Sequence, residues 1–280
     1  MAKRKGLITA EALRDRLGEV DSGLAVVDMR ERPDDGRPII PGSVWVDLHD
    51  GFAQRRGDHG LDYDLPHAEE LAATLGRLGI GPQTEVVFAD GHRNRWATRA
   101  YWVLRYYRHP GKAWVLESGV PGWARAGLPA TDKFARPEAV EYPLPGAPNE
   151  SIRVTAEELR DGAAAGRLLP CDVRAPQEFT GEVALSGRGG HIPGASFVPW
   201  EACLDEESRF LPDERLEAVL SPFLAPGIEP VTYCQGGIRA SLTWFAIHEL
   251  LGRPARLYAA SWEEWAQRGE LPVEKGTPES

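Results

Sequence analysis

Short apolar runs alternate along the whole chain with longer stretches in which apolar residues recur at helical spacing. The apolar runs lie at residues 25–28, 86–90, 113–116, 168–172, 231–234 and 255–258. The clearest helical stretches are residues 96–106 and 240–251. Strand-like runs separated by helical segments are typical of βαβ units, in which neighbouring strands are parallel. The pattern therefore predicts an α/β fold.

The second half of the chain repeats the motifs of the first half in the same order. The matched pairs are Thr9–Asp15 with Thr155–Asp161, Asp28-Met29-Arg30 with Asp172-Val173-Arg174, Ile40-Pro41-Gly42 with Ile192-Pro193-Gly194, and Trp123 with Trp265. In the second copy, Thr155 and Glu158 form the pattern of a helix capping box. The spacing from Asp28 to Asp90 is 62 residues, as is that from Asp172 to Cys234. Matching order and spacing indicate an internal duplication.

The duplication predicts two tandem α/β domains, each a mainly parallel sheet flanked by helices. We place the first domain at residues 1–130 and the second at residues 152–280, which are ordinary domain sizes. Residues 131–151 between them are rich in proline. Proline disfavours both helix interiors and central strands, so this segment is predicted to be an extended linker.

Composition narrows the possible classes. The chain has 280 residues, a net charge of −10 and 42% hydrophobic residues, which is typical of a globular protein and argues against a nucleic-acid partner. No apolar run approaches the ~18 residues of a membrane helix, and no secretory signal is visible. Without a signal, the three cysteines are predicted to be reduced thiols of a cytoplasmic protein, and their spacing makes a structural zinc site unlikely.

Cys234 is the cysteine with a chemically distinctive setting. It ends a predicted parallel strand, where α/β proteins bind ligands. Gly236 and Gly237 follow, and their freedom at positive φ lets main-chain N–H groups turn inward. A predicted helix and Arg239 add a positive dipole end and a cation, and all of these features favour a thiolate. We expect a nucleophilic Cys234 that attacks or carries an anionic group, whereas Cys171 and Cys203 are expected to be structural.

With these motifs in this order, the sequence resembles tandem-domain rhodaneses, the thiosulfate/3-mercaptopyruvate sulfurtransferase family. The resemblance covers about residues 7–272 and includes Gly190–Ala195 and Ser261–Trp265. It implies an inactive first domain, a catalytic second domain and a site between them. Asp90 falls on the cysteine position of the inactive copy. The implied site consists of Cys234 as the sulfur carrier, Gln235, Gly236, Gly237, Ile238 and Arg239 as its anion- and persulfide-binding loop, and Asp172 and Arg174 as supporting residues.

The resemblance also implies a ping-pong reaction through a Cys234 persulfide, without a metal or an organic cofactor. The donor is a small anion, thiosulfate in preference to 3-mercaptopyruvate, and the acceptor is cyanide or a thiol; the sequence leaves a protein acceptor open. Three features depart from the family. Gln235 is neutral where thiosulfate-specific loops carry a cation. The loop after Cys234 has no Ser or Thr before Ser241, whereas mercaptopyruvate-specific loops carry hydroxyl residues there. Glu178 stands where family members often have an arginine. Glu178 is either a solvated surface acid or a residue of the site that weakens the case for a dianionic donor.

Two other functions remain open at this stage. The chain could be a rhodanese-like sulfur-binding or sensor module without turnover. It could also be a cysteine phosphatase or arsenate reductase of the related Cdc25-like type. That chemistry uses a Cys-x5-Arg loop to surround a tetrahedral phosphate, whereas Cys234 and Arg239 form a Cys-x4-Arg loop, which is one residue shorter.

Overall fold

The computed structural model describes residues 4–19, 23–55, 61–143 and 146–276. The chain forms two compact units. The first comprises Met1–Gln54, Leu65–Asn149 and Glu206–Arg209, and the second comprises Arg55–Asp64, Glu150–Asp205 and Phe210–Ser280. Each unit therefore includes a short segment from the other half of the chain. The domain limits at 130 and 152 stay predictions, and residues 144–145 of the predicted linker lie outside the described residues.

The first unit is a parallel sheet with helices. Its elements are β1 (Leu7–Ile8), α1 (Ala10–Leu17), β2 (Leu24–Asp28), β3 (Val44–Trp45), α2 (Ala68–Arg77), β4 (Glu85–Ala89), α3 (Arg95–Tyr106), β5 (Ala113–Leu116) and α4 (Gly119–Arg125). The strand order is β1-β5-β4-β2-β3, and the strand pairs described in this sheet are all parallel.

The second unit repeats this plan. Its elements are α5 (Ala156–Ala164), β6 (Leu168–Asp172), α6 (Pro176–Thr180), β7 (Ser196–Phe197), α7 (Asp213–Val219), β8 (Glu229–Tyr233), α8 (Ile238–Phe245), β9 (Arg256–Leu257) and α9 (Ser261–Gln267). The strand order is β7-β6-β8-β9, again with parallel pairs. The α/β fold with two parallel-sheet units predicted from the sequence is confirmed.

Local contacts explain why the repeated motifs form the same elements. Thr9 and Thr155 each accept a hydrogen bond from a main-chain N–H of the first helical turn, at 3.2 Å. Glu158 completes the predicted capping box by accepting from the Thr155 N–H at 2.9 Å. These contacts satisfy N–H groups that have no partner inside a helix, and so they fix where α1 and α5 begin.

The two cores are built around equivalent tryptophans. Trp123 and Trp265 are almost fully buried among the apolar residues of their own units. The Trp123 Nε1–H donates to the carbonyl of Pro129 at 2.8 Å, and the Trp265 Nε1–H donates to that of Pro272 at 2.7 Å. Each indole thus hydrogen-bonds to the segment that follows its own helix, α4 or α9. The duplication seen in the sequence is repeated at the level of single hydrogen bonds.

Strand register brings the chemically distinctive residues of the second unit to one edge. Asp172, the last residue of β6, pairs with Tyr233, the last residue of β8. Cys234 comes next in the chain, so Asp172 and Cys234 both lie at the carboxyl edge of the sheet, where α/β folds place ligands. Within the described part of the chain, no helix is long and apolar enough to cross a membrane.

Candidate active site

Cys234 lies at the junction between β8 and α8. The strand ends at Tyr233, one residue earlier than the apolar run predicted, and α8 begins at Ile238. Gly237 precedes the helix with φ of 79°, a left-handed conformation that glycine adopts without strain. Cys234 therefore precedes the N-terminus of α8, the positive end of the helix dipole, by four residues. Cys234 is only 1% exposed.

Gly236 is a position where the loop is tightly packed. A Cβ atom built on this residue would lie 3.1 Å from Cδ2 of Tyr63 and 3.2 Å from the carbonyl oxygen of Asp62. Tyr63 and Asp62 belong to the short segment that joins the second unit. A side chain at residue 236 would therefore require these neighbours to shift by a few tenths of an ångström, whereas positive φ is needed only at Gly237 of the two glycines.

Ser261, the first residue of α9, holds the main chain at Cys234. Its Oγ accepts a hydrogen bond from the Cys234 N–H at 3.1 Å and donates to the carbonyl of Tyr258 at 2.8 Å. The next two amides of α9 continue this contact, because Trp262 N–H donates to the Cys234 carbonyl at 3.0 Å and Glu263 N–H donates to that of Gln235 at 2.9 Å. The beginning of α9 thus supports the Cys234 loop (residues 234–239).

Sequence reasoning did not assign this role to Ser261. Gly119 stands at the equivalent place in the first half, because the N–H of the next residue, Val120, donates to the Asp90 carbonyl at 2.9 Å as that of Trp262 does to the Cys234 carbonyl. Both residues have positive φ, 54° for Gly119 and 59° for Ser261, which is uncommon for a residue with a side chain. The first copy carries no side chain at this point, so the repeat gives no sign of the role of Ser261.

Arg239 does not stand as an isolated cation beside Cys234, as the sequence suggested. Its Nη1 donates to Glu178 Oε2 at 2.6 Å and its Nη2 donates to Glu178 Oε1 at 2.8 Å. The side chains are 18% and 8% exposed, so this bidentate pair is largely shielded from water. The interpretation of Glu178 as a solvated surface acid is therefore wrong: Glu178 is buried because α6 packs it against the Cys234 loop.

The pair is held in its charged form. Burial by itself would raise the pKa of Glu178, but the hydrogen bonds and the charge of Arg239 outweigh it and hold this pKa below its ordinary value. Burial likewise opposes the charge on Arg239, but the hydrogen bonds to Glu178 and the charge interaction with Cys234 raise its pKa. Arg239 lies in the first turn of α8, five residues after Cys234.

Asp172 and Arg174 form a second buried ion pair behind the loop. Their side chains are 0% and 1% exposed, and Arg174 Nη2 lies 2.7 Å from Asp172 Oδ2. The same nitrogen donates to the carbonyl of Gly190 at 2.6 Å. The guanidinium also covers the ring of Trp262 at 4.6 Å from its centroid. The pair links the end of β6, the Gly190 turn and α9, and its role as a support for the loop stays a prediction.

The remaining loop side chains and the other two cysteines contact neighbouring protein groups or lie buried. Gln235 Nε2 hydrogen-bonds to Ser186 Oγ, and Ile238 is buried in the first turn of α8. Cys171 lies inside β6, and burial raises the pKa of its thiol well above the ordinary value. Burial also raises the pKa of Cys203 to about 12. These two thiols are therefore protonated at neutral pH, as expected for structural cysteines.

The first unit has an equivalent loop whose N–H groups are occupied by its own side chain. In the Asp90 loop (residues 90–95), Oδ1 of Asp90 accepts from the N–H groups of His92 and Asn94, both at 2.9 Å. Its Oδ2 accepts from those of Trp96 at 2.8 Å and Ala97 at 3.0 Å. One buried carboxylate thus binds four main-chain donors at the N-terminus of α3, the usual place for an anion.

The two loops differ in length as well as in chemistry. α3 begins at Arg95, five residues after Asp90, whereas α8 begins at Ile238, four residues after Cys234. Among residues 4–19, 23–55, 61–143 and 146–276, no group of three His, Cys, Asp or Glu side chains could hold a metal ion.

Comparison with known proteins identifies the class to which this architecture belongs. The family model described as "Rhodanese-like domain" matches residues 9–126 and 155–268. The chain belongs to the rhodanese-like family and carries two copies of its domain. A probable 3-mercaptopyruvate sulfurtransferase of Pseudomonas aeruginosa is 34% identical over 96% of this chain and 98% of the relative. A putative thiosulfate sulfurtransferase of Mycobacterium leprae, SseA, is 31% identical over 96% and 91%.

Solved structures agree on the fold. The Tum1 protein of Saccharomyces cerevisiae superposes with a TM-score of 0.83 at 22% identity, covering 98% of this chain and 99% of that one. SseA of Escherichia coli, described among 3-mercaptopyruvate sulfotransferases, gives a TM-score of 0.78 at 23% identity over 92% and 99%. The relatives and the family match together make this chain an enzyme, a sulfurtransferase of the thiosulfate/3-mercaptopyruvate type.

Proposed function

We propose that this enzyme moves a sulfane sulfur from thiosulfate, with 3-mercaptopyruvate as the less favoured donor, to a thiophilic acceptor through a Cys234 persulfide. The observation that carries the proposal is the setting of Cys234. It ends β8 before the N-terminus of α8, its main chain is held by Ser261, and Arg239 interacts with its sulfur. A cysteine at a helix N-terminus with a guanidinium nearby is suited to react as a thiolate.

The first half-reaction breaks one bond and forms one. The Cys234 thiolate attacks the outer sulfur of thiosulfate, the S–S bond of the donor breaks, and its electron pair leaves with sulfite. With 3-mercaptopyruvate, the C–S bond breaks instead and pyruvate leaves after protonation of its enolate. In the second half-reaction, cyanide or a thiolate attacks the terminal sulfur and restores the Cys234 thiolate.

The neighbouring residues have distinct proposed roles. Main-chain N–H groups of Gln235, Gly236, Gly237 and Ile238, together with Arg239, bind the persulfide and the anionic donor. Asp172 and Arg174 support the loop from behind, because their ion pair joins β6 to α9. No metal or organic cofactor enters this mechanism.

The test is the covalent intermediate itself. The purified protein is incubated with thiosulfate, or separately with 3-mercaptopyruvate, and the intact mass is measured. We expect a gain of one sulfur atom that cyanide removes and that is absent in Cys234→Ser. Cys203→Ser serves as a matched control and keeps the adduct. Failure of every donor to give an adduct, with a folded protein, would refute the proposal.

The same experiments separate the alternatives. A sulfur-binding or sensor module would form the adduct but give no steady-state turnover with cyanide or a thiol. A phosphatase or arsenate reductase would hydrolyse an aryl phosphate or reduce arsenate, and we expect neither, because Cys234 and Arg239 are spaced for the smaller ring. Steady-state kinetics with both donors decide between thiosulfate and 3-mercaptopyruvate.

Partners and location complete the proposal. The substrates are a small anionic sulfur donor and a thiol or cyanide acceptor. The acceptor thiol is either a small molecule or a protein, and no nucleic acid takes part. We propose that the enzyme acts in the cytoplasm, on the ground of its cysteine usage.

A further inference from the structure

The charges around Cys234 cancel to a degree that the sequence does not suggest. Two arginines adjoin its loop and the strand behind it, and each is bound to a carboxylate of its own. Arg239 directs both terminal nitrogens to the two oxygens of Glu178. Arg174 directs Nε and Nη2 to Asp172, at 3.0 and 2.7 Å. Each pair has no net charge, so neither guanidinium presents an uncompensated cation to an incoming anion.

Glu178 is fixed in a position from which it compensates Arg239. Its Oε2 also accepts a hydrogen bond from the N–H of Ala175 at 3.0 Å, which anchors the carboxylate at the start of α6. With its side chain 8% exposed, Glu178 has little room to turn toward solvent. Both terminal nitrogens of Arg239 donate to Glu178, so the Nη1–Nη2 edge of the guanidinium, which could bind a sulfonate in a bidentate manner, is already used.

Glu263 adjoins the other side of the loop through its main chain, because its N–H donates to the Gln235 carbonyl at 2.9 Å. Burial raises the pKa of the half-buried Glu263 carboxyl, and the charges of Asp62 and Asp64 raise it further. The Glu263 carboxyl thus has acidic neighbours, and the Arg239 side of Cys234 carries no net charge. A dianion gains little from the Arg239–Glu178 pair.

We propose that Glu178 is a specificity-determining residue, which holds Arg239 in a bidentate ion pair and thereby weakens the binding of highly charged anionic sulfur donors at Cys234. The anion is then bound chiefly by main-chain N–H groups, and the charge of Glu178 weakens the binding of dianions more than that of monoanions. This inference rests on the proposed sulfurtransferase reaction for its biological meaning. Its charge effect, however, is measurable without any sulfur transfer.

The decisive variant is Glu178→Gln. Glutamine has nearly the same shape and keeps an oxygen for the Ala175 N–H, but it removes the negative charge from Arg239. The first measurement compares alkylation of Cys234 by iodoacetate, an anion, and by iodoacetamide, its neutral analogue, with the labelled peptide identified by mass spectrometry. We expect the iodoacetate-to-iodoacetamide rate ratio to rise by about tenfold, since an uncompensated buried cation attracts the anion selectively.

The second measurement uses donors of graded charge. Thiosulfate is a dianion, and methanethiosulfonate replaces one of its oxygens by a methyl group to give a monoanion. In Glu178→Gln, kcat/KM for thiosulfate is expected to rise by about tenfold, mainly through a lower KM. The value for methanethiosulfonate rises less. Sulfite or methanesulfinate leaves with the electron pair of the broken S–S bond, so the chemistry is the same for both donors.

Three controls separate charge from structure. Glu178→Asp keeps the charge and is expected to keep the wild-type ratios. The double variant E178Q/R239M must lose the gain, because the effect acts through Arg239. Glu85→Gln removes a carboxylate from a partly buried arginine pair in the first unit, with Arg16 at 2.9 Å, and leaves the ratios unchanged.

Failure of this proposal is distinguishable from failure of the proposed function. If Glu178→Gln alters neither the alkylation ratio nor the donor ratio, Glu178 has only a structural role and the proposal is overturned, whether or not the wild-type enzyme transfers sulfur. If no donor yields a persulfide but the alkylation ratio rises as stated, the charge effect stands and the sulfurtransferase mechanism falls.

Discussion

Replacing Asp90 by alanine tests whether the first unit depends on the anion that it carries within itself. The substitution leaves four N–H groups of the Asp90 loop and α3 without their carboxylate. The bonds to Asn94 and Ala97 are buried, whereas those to His92 and Trp96 are only partly buried. Water can replace the carboxylate at the last two N–H groups more easily than at the first two.

The expected loss follows from that difference. A buried donor left without a partner costs about 1–3 kcal/mol, and a net hydrogen bond to a charged group is worth about 1.5–3 kcal/mol. The two buried donors, with a small addition from the two partly buried donors and from the helix dipole, give an expected loss of about 3–5 kcal/mol. Asp15→Ala is the matched control, because Asp15 is 66% exposed and pairs with its neighbour Arg14 at the surface. Its loss should stay below about 1 kcal/mol.

The assay must resolve the first unit from the second, because a protein of two units need not unfold in one step. Amide hydrogen exchange in native conditions does so. We expect the amides of residues 92–97 to lose protection in Asp90→Ala, while those of α8 keep theirs. Denaturant titration of the same variants gives the change in free energy of unfolding of the first unit.

A second arm of this experiment adds an external anion. In Asp90→Ala the four N–H groups form an empty oxyanion site, so sulfate should restore protection and stability. At about 100 times its dissociation constant, a ligand adds about 2.7 kcal/mol. A loss below 1 kcal/mol, with unchanged exchange at residues 92–97, would refute the reasoning. A large loss that sulfate does not reverse, while wild type responds equally to the salt, would refute the anion-site part.

Other predictions follow from single contacts. Asp172→Ala leaves Arg174 charged and unpaired in the core, and we expect a loss of about 3–5 kcal/mol in unfolding free energy, measured by urea titration. Ser261→Ala removes the acceptor for the Cys234 N–H; kcat for sulfur transfer should fall while the fold persists by circular dichroism, and an unchanged kcat would contradict this. Burial lowers the pKa of His109, so the stability that His109 contributes is complete above about pH 6.5 and is lost as the pH falls through its depressed folded-state value. His109→Gln should flatten the pH dependence of the urea midpoint over that range.

The fold could be predicted from the sequence because the duplication shows the pattern of each helix and strand twice. Apolar runs and capping residues occur at matched positions, so a weak signal in one copy is supported by the other. Cys234 was found in the same way, through its contrast with Asp90. Boundaries were less accurate: the strand ends at Tyr233 and α8 starts at Ile238, because the turn begins as soon as the main chain leaves the sheet.

The ion pair of Glu178 with Arg239 was beyond the reach of the sequence. The two residues are 61 positions apart, and they meet only because α6 packs against the Cys234 loop. Periodicity and motif spacing describe local structure, and they carry no information about which side chain of α6 faces the loop. The support from Ser261 depends in the same way on how α9 packs.

The unequal lengths of the two loops have an evolutionary consequence. The first loop has one more residue before its helix than the second. A point mutation of Asp90 to cysteine would restore a thiol but not the shorter turn that surrounds Cys234. It would also remove the carboxylate that accepts four main-chain N–H groups. A second thiol would therefore come at a cost in stability to the first unit.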